Sequence, residues 1–212
     1  IAGPNIALNT IMAEELGKFA DELEQAEDFE AALQKLVCRT FTEHQRIIFN
    51  GNGYAAEWTE EAEKRGLSNY PSTAKCLPTY ISQKNIDLVT KHGIYAEDEF
   101  RARYEIHLDA YRKMINIEAK TCIDMALHQI LPAAMHYSRD LCSGILSKKE
   151  LGLPCDAETQ IAQKLSSASD SMFQCCERLQ RDLVHIPEGK ENIAEYYHEV
   201  IVADMAALRV QA

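Results

Sequence analysis

Residues 96–126 read AEDEFRARYEIHLDAYRKMINIEAKTCIDMA. Within them Phe100, Tyr104, Leu108, Tyr111, Ile115, Ala119, Cys122 and Ala126 recur at steps of 4-4-3-4-4-3-4. That spacing lays one apolar face along an α-helix. The same face runs on past Pro132 through Tyr137, Leu141 and Ile145. About 50 residues at the helical rise span about 75 Å. Pro132 has no backbone donor and is expected to kink this very long helix near that point. Further apolar positions, Ile106, Met114, Ile117, Ile123 and Met125, flank the stripe. One stripe serves one partner helix, so this second face calls for a second cover, from the same chain or from a neighbouring subunit.

Outward from this helix the pattern stays helical. Toward the N-terminus, Pro4 suits a first turn, and Leu8, Met12, Leu16, Phe19 and Leu23 follow at steps of three and four. Asp28 is placed to cap a second helix, which ends at the Asn50-Gly51-Asn52-Gly53 turn signal. A short helix is expected over about Ala55 to Arg65, stopped by Gly66. Residues 67–78, punctuated by Pro71 and Pro78, read as irregular, and Ser82 as the cap of a short helix ending at Gly93. Toward the C-terminus, Gly152 and Pro154 break the chain and Asp156 is placed to cap a helix that Pro187 and Gly189 stop. A last helix carries Ile193, Tyr197, Ile201, Met205 and Leu208. No alternating strand pattern and no internal repeat is found. The expected fold is all-α: an antiparallel bundle, with N-terminal helices over residues 1–95 and the long-helix bundle over 96–212.

The charge and composition narrow the function. A net charge of −11 without a basic cluster argues against a nucleic-acid partner and against anionic membranes. The longest basic pair, Lys148–Lys149, reads as a solvated helix end. No run of about 18 apolar residues is present, and no signal peptide. The seven cysteines lack metal-type spacing and read as buried or half-buried free thiols of a cytoplasmic protein. The chain opens without Met and stops inside a helical pattern, so it reads as a piece of a larger protein.

Few constellations suggest chemistry. Gly51-Asn52-Gly53 lacks the GK[ST] ending and the preceding strand of a phosphate loop, and reads as a turn. Glu195 and His198 form one ExxH pair, with Glu105, Glu118 and His107 as candidates to complete a di-metal bundle site. A single ExxH falls short of the ligand count, so no metal site is assigned. His44, His128 and His136 read as partly buried histidines, and the tyrosines 104, 111, 137 and 197 as core or interface.

Several segments together resemble one family. They are Ile1-Ala2-Gly3-Pro4-Asn5 running into Leu8-Asn9-Thr10 and Ala13-Glu14; Arg46-Ile47-Ile48-Phe49-Asn50-Gly51-Asn52-Gly53-Tyr54; Glu61-Ala62-Glu63-Lys64-Arg65-Gly66-Leu67; Arg103-Tyr104-Glu105-Ile106; Ile115-Asn116-Ile117-Glu118-Ala119; and Ile130-Leu131-Pro132-Ala133. The whole chain resembles the C-terminal region of type III glutamine synthetases, the long bacterial form. The resemblance implies a parent ligase in which ATP phosphorylates the γ-carboxylate of glutamate and ammonia displaces the phosphate. It implies magnesium or manganese ions held on strands upstream of Ile1, and stacked hexameric rings. It places no catalytic, cofactor-binding or metal residue on this chain, which is expected to be inactive alone and to bind neither ATP nor metal. Its partners are then its own catalytic domain and further copies of itself. The competing readings are a free-standing helical interaction module and a ferritin-like metal oxidase. The missing Met and uncapped last helix favour the ligase over the first, and the single ExxH argues against the second.

Overall fold

The computed structural model describes residues 2–212. No strand occurs among the described residues, and helices follow one another along the chain. They form two compact units, Ile1–Tyr104 and Glu105–Ala212.

The first unit holds α1 (Ala2–Glu24), α2 (Phe29–Glu43), α3 (Ala56–Lys64), α4 (Thr73–Tyr80), α5 (Gln83–Lys91) and the start of α6 (Glu97–Met125). Asp28 caps α2, its carboxylate accepting from the Ala31 N–H at 3.1 Å. Gly93 sits at φ +63° just past the end of α5, where a left-handed residue lets the helix stop. Residues 73–78, expected to be irregular, belong to the helix α4. Ser72 caps them by accepting from the Lys75 N–H at 3.2 Å, and Pro78, inside the helix, removes one backbone donor. Ile86, Val89 and Phe100 form a small core, and Tyr80 stacks on Phe100 with ring centres 4.3 Å apart. The α1 stripe departs from expectation: Leu8, Met12 and Leu16 are exposed, and the buried side of this helix carries Thr10 instead.

The second unit is the bundle. α6 continues without a break through a π-helical turn, Ala126–Ile130, into α7 (Leu131–Glu150). The Leu131 N–H bonds back to the Ala126 carbonyl, five residues away. This wide turn lies next to Pro132, where the chain cannot supply an ordinary helical donor. A tight reversal follows, with Gly152 at φ +67° and the Leu153 N–H returning to the Lys148 carbonyl. α8 (Asp156–Asp182) runs back along α7, and a last helix joins α9 (Lys190–Tyr196), a second π turn (Tyr197–Ile201) and α10 (Val202–Gln211). Cys155, not Asp156, occupies the cap position of α8; Asp156 and Glu158 lie in its first turn, where the helix dipole favours a carboxylate. Glu158 accepts a hydrogen bond from Lys148, so the basic pair at the end of α7 is not simply solvated. Ala119, Ile123, Ala126, Leu131, Met172, Cys176, Leu179, Tyr197, Ile201 and Leu208 build one continuous core from three directions.

Candidate functional site

The most elaborately built surface feature is the turn after α2. Arg65, at the end of α3, donates from Nη1 to the carbonyls of Ile48 (2.9 Å) and Arg46 (3.3 Å), and from Nε to Glu61 (2.7 Å). Its guanidinium also lies 5.8 Å from the Trp58 ring centre. Phe49 stacks on Trp58 at 4.3 Å. A Cβ at Gly51 would sit 2.4 Å from Phe49 Cζ, so any side chain there would force the stacked ring to shift. Gly51 is needed for space and not for a left-handed backbone, since its φ is not positive. Asn52 Oδ1 then accepts the Tyr54 N–H at 3.1 Å. The outcome is a braced loop that presents Ile47, Ile48 and a fully exposed Tyr54. Nothing in it resembles a phosphate cradle. Its chemistry is that of an apolar contact point.

A second constellation ties α1 to α5. Lys91 Nζ bonds both oxygens of Glu14 at 2.8 Å, and His92 Nε2 lies 2.8 Å from Glu14 Oε2. Hydrogen bonds from Lys91 and then His92 hold the Glu14 carboxyl down at about 2. The adjoining cleft is lined by Lys18, Lys84 and Lys91 but also by Glu14, Glu15 and Asp87. The signs balance, so the cleft makes no concentrated positive site for a phosphate.

In the bundle, Asp204 of α10 is buried against α8. Arg178 Nε donates to its Oδ1 at 2.7 Å, while Oδ2 has no donor. Burial, then the neighbouring Asp182 carboxyl, pushes the Asp204 carboxyl up, with Arg178 opposing. Tyr196 donates to the Asp182 carbonyl at 2.9 Å.

The residues singled out for metal do not converge. Glu195 is exposed, His198 lies within the second π turn, and Glu105 is engaged by Lys190 at 2.5 Å. Glu118 and His107 are exposed on α6. No group of three or more His, Cys, Asp or Glu side chains is placed to hold a metal ion among the described residues. His44, His128 and His136 are exposed and not partly buried, because the apolar stripes turn away from them; His128 pairs with Asp124 at 2.9 Å. Of the cysteines, Cys155 and Cys176 are buried and Cys122 and Cys175 half-buried, whereas Cys38, Cys76 and Cys142 are exposed. Tyr104 and Tyr197 are buried, Tyr111 is partly so, and Tyr137 is exposed. Among the described residues, no helix is long and apolar enough to cross a membrane.

The described residues are helical in both units, and the first unit carries the braced apolar loop. Comparison with known proteins then places the chain: residues 32–149 match the glutamine synthetase C-terminal domain, and the chain belongs to that family. It is 36% identical over 190 residues to a glutamine synthetase of Butyrivibrio fibrisolvens, covering 88% of this chain and 27% of that protein. It is 30% identical over 221 residues to a type-3 glutamine synthetase of Dictyostelium discoideum, covering 97% and 30%, and 26% identical over 220 residues to a glutamine synthetase of Bacteroides fragilis, covering 98% and 30%. The chain thus spans less than a third of the length of these relatives.

Proposed function

We propose that this chain is the C-terminal structural and assembly region of a type-3 glutamine synthetase. The whole enzyme joins ammonia to glutamate through γ-glutamyl phosphate, with ATP and magnesium or manganese bound outside this chain. It works in the cytoplasm as an oligomer of stacked rings. Residues 1–95 pack toward the catalytic portion and residues 96–212 serve assembly. The observation that carries this reading is that almost the whole chain aligns with under a third of each of two glutamine synthetases. The exposed apolar row of Leu8, Met12 and Leu16, and the exposed Phe41, Ile47 and Tyr54, support it. Apolar surface of that extent on one unit marks a contact site.

The test compares the whole enzyme, the enzyme lacking residues 105–212, and the 212-residue chain alone. Glutamine formation from glutamate, ammonia and ATP is measured, together with sedimentation. The whole enzyme is expected to be active and assembled, the truncated one to lose its assembly, and the chain alone to show no turnover. Turnover by the chain alone, or a truncated enzyme that keeps its full assembly, overturns the reading.

A further inference from the structure

The last helix meets α8 through a pair of carboxyl groups. Asp204 of α10 is buried, its Oδ1 accepts from Arg178 Nε at 2.7 Å, and its Oδ2 is buried with no donor among the described residues. The Asp182 carboxyl, on the last residue of α8, stands within hydrogen-bonding reach of Asp204. Two ionised carboxylates are acceptors only, and they repel each other. With one proton between them, one becomes a donor and the pair becomes a hydrogen bond. Both residues lie in the Glu105–Ala212 unit.

The surroundings favour that proton. The neighbouring donors serve Asp182 instead: Arg181 Nε lies 3.5 Å from its Oδ1, and the Tyr196 hydroxyl donates to its backbone carbonyl at 2.9 Å. Asp182 stands at the C-terminal end of α8, where the helix dipole already disfavours negative charge. Leu179 of α8 and Ile201 and Leu208 of the last helix belong to one core, so the contact is poor in water and a second charge there is costly. The titratable and charged groups that face Asp204 are Arg178 and Asp182 from α8 and Tyr196 from α9. Burial and then Asp182 push the Asp204 carboxyl above its ordinary 3.8, with Arg178 opposing.

We propose that Asp204 donates a carboxyl proton to Asp182 across the α8–α10 contact, and that this shared proton is a latch that holds the last helix on α8 in acid and loosens it as the pH rises. When the proton passes to solvent, Asp204 keeps Arg178 as a partner and faces a like charge. The core around Leu179 and Ile201 is untouched by the change, so the latch sets how often the last helix opens and not whether it folds. In the opened helix Asp204 titrates at its ordinary 3.8. Opening therefore becomes more frequent between 3.8 and the folded midpoint, by up to about tenfold per pH unit, and levels off above it. The latch does not depend on the assembly role proposed above.

The experiment uses the 212-residue chain. Carboxyl carbon NMR follows the titration of Asp204, and amide hydrogen exchange, taken relative to the intrinsic rate at each pH, follows the opening of α10 (Val202–Gln211). Asp204 is expected to titrate above 3.8, and protection of α10 to fall between 3.8 and that midpoint and stay level above it. Asp204→Asn is expected to abolish this pH dependence. Asp182→Asn, which removes the carboxylate that takes the proton, is expected to move the Asp204 midpoint down toward 3.8. An Asp204 midpoint that Asp182→Asn leaves in place assigns the shift to burial alone and overturns the shared proton. So does α10 protection that keeps its pH dependence in Asp204→Asn. An Asp204 that titrates at or below 3.8 in the unsubstituted chain overturns the proposal without any variant.

Discussion

Replacing Asp204 by Asn should stabilise the bundle at neutral pH, and by an amount that depends on pH. Asp204 is 8% exposed, with Oδ1 held by Arg178 and Oδ2 lacking any donor beside the Asp182 carboxyl. Leaving a buried polar atom unsatisfied costs about 1–3 kcal/mol. An Asn keeps the acceptor for Arg178 and turns an NH2 toward Asp182, satisfying both sides. It gives up an ion pair with a half-exposed arginine, which contributes about 0–1 kcal/mol. The balance at pH 7 is a gain of about 1 kcal/mol, or about 4–8 °C in Tm for a unit of this size. The pH dependence has a definite sign. The folded carboxyl titrates above its ordinary 3.8. Below 3.8 both folded and unfolded chains carry the proton, and the wild type is at its best. As pH rises toward the folded value the unfolded chain releases its proton first, so stability falls, then levels off once both are ionised. The groups facing Asp204, namely Arg178 and Asp182 from α8 and Tyr196 at the end of α9, are unchanged in the variant. Thermal melts of both proteins from pH 4 to pH 8 should therefore diverge as pH rises. A variant less stable than the wild type at pH 7, with a parallel pH profile, refutes the reasoning.

Gly51→Ala should destabilise the braced turn by about 1–3 kcal/mol, because the new methyl meets the Phe49 ring that Trp58 backs; urea melts followed by Trp58 fluorescence measure it. Leu179→Ala, at a fully buried position in the bundle core, should cost about 2–5 kcal/mol in urea melts followed by helical circular dichroism, with the Trp58 signal at low urea unchanged. Glu14 is held at about 2, below its ordinary 4.5, so its tie to Lys91 and His92 is fully present above 4.5 and lost as pH falls toward 2. Protection of the α1 amides, taken relative to the intrinsic exchange rate at each pH, should fall over that acid range in the wild type, and Glu14→Gln should remove the dependence.

The fold was legible where it is written in periodicity. The α6 stripe, the Asp28 cap and the Gly93 and Gly152 stops all follow from local rules, and local rules suffice for helices that bond within themselves. α4 was missed because Pro71 and Pro78 read as breakers, although Ser72 supplies a cap and Pro78 comes only in the last turns. The histidines at 44, 128 and 136 were misplaced because nearness to an apolar residue in sequence is not nearness on the helix surface. The braced turn was recognisable as a family phrase, but its physics was not. Arg65 reaches carbonyls 17 and 19 residues away, and Glu14 is bound by groups 77 and 78 residues on. Contacts of that separation are set by packing and leave no pattern in a single sequence.

The two units handle apolar residues differently, and that difference bears on function. In Glu105–Ala212, helices converge on a continuous core, while Ile106, Met114 and Ile117 of α6 and Met135, Leu146, Leu151 and Val184 elsewhere stay exposed. In Ile1–Tyr104 the core is Ile86, Val89 and Phe100 with two tyrosines, while Leu8, Met12, Leu16, Phe29, Phe41, Ile47 and Tyr54 remain outside. Covering one such side chain is worth about 1.5–3 kcal/mol. The apolar residues left outside are therefore a substantial reserve of burial energy for a contact. A sequence that braces a turn with Arg65, Phe49 and Trp58 in order to expose Ile47 and Tyr54 is spending order on a surface. Spread over several helices and one rigid loop, that surface suits a broad, permanent contact with another folded body better than a pocket for a small ligand, and the balanced charges of the neighbouring cleft point the same way.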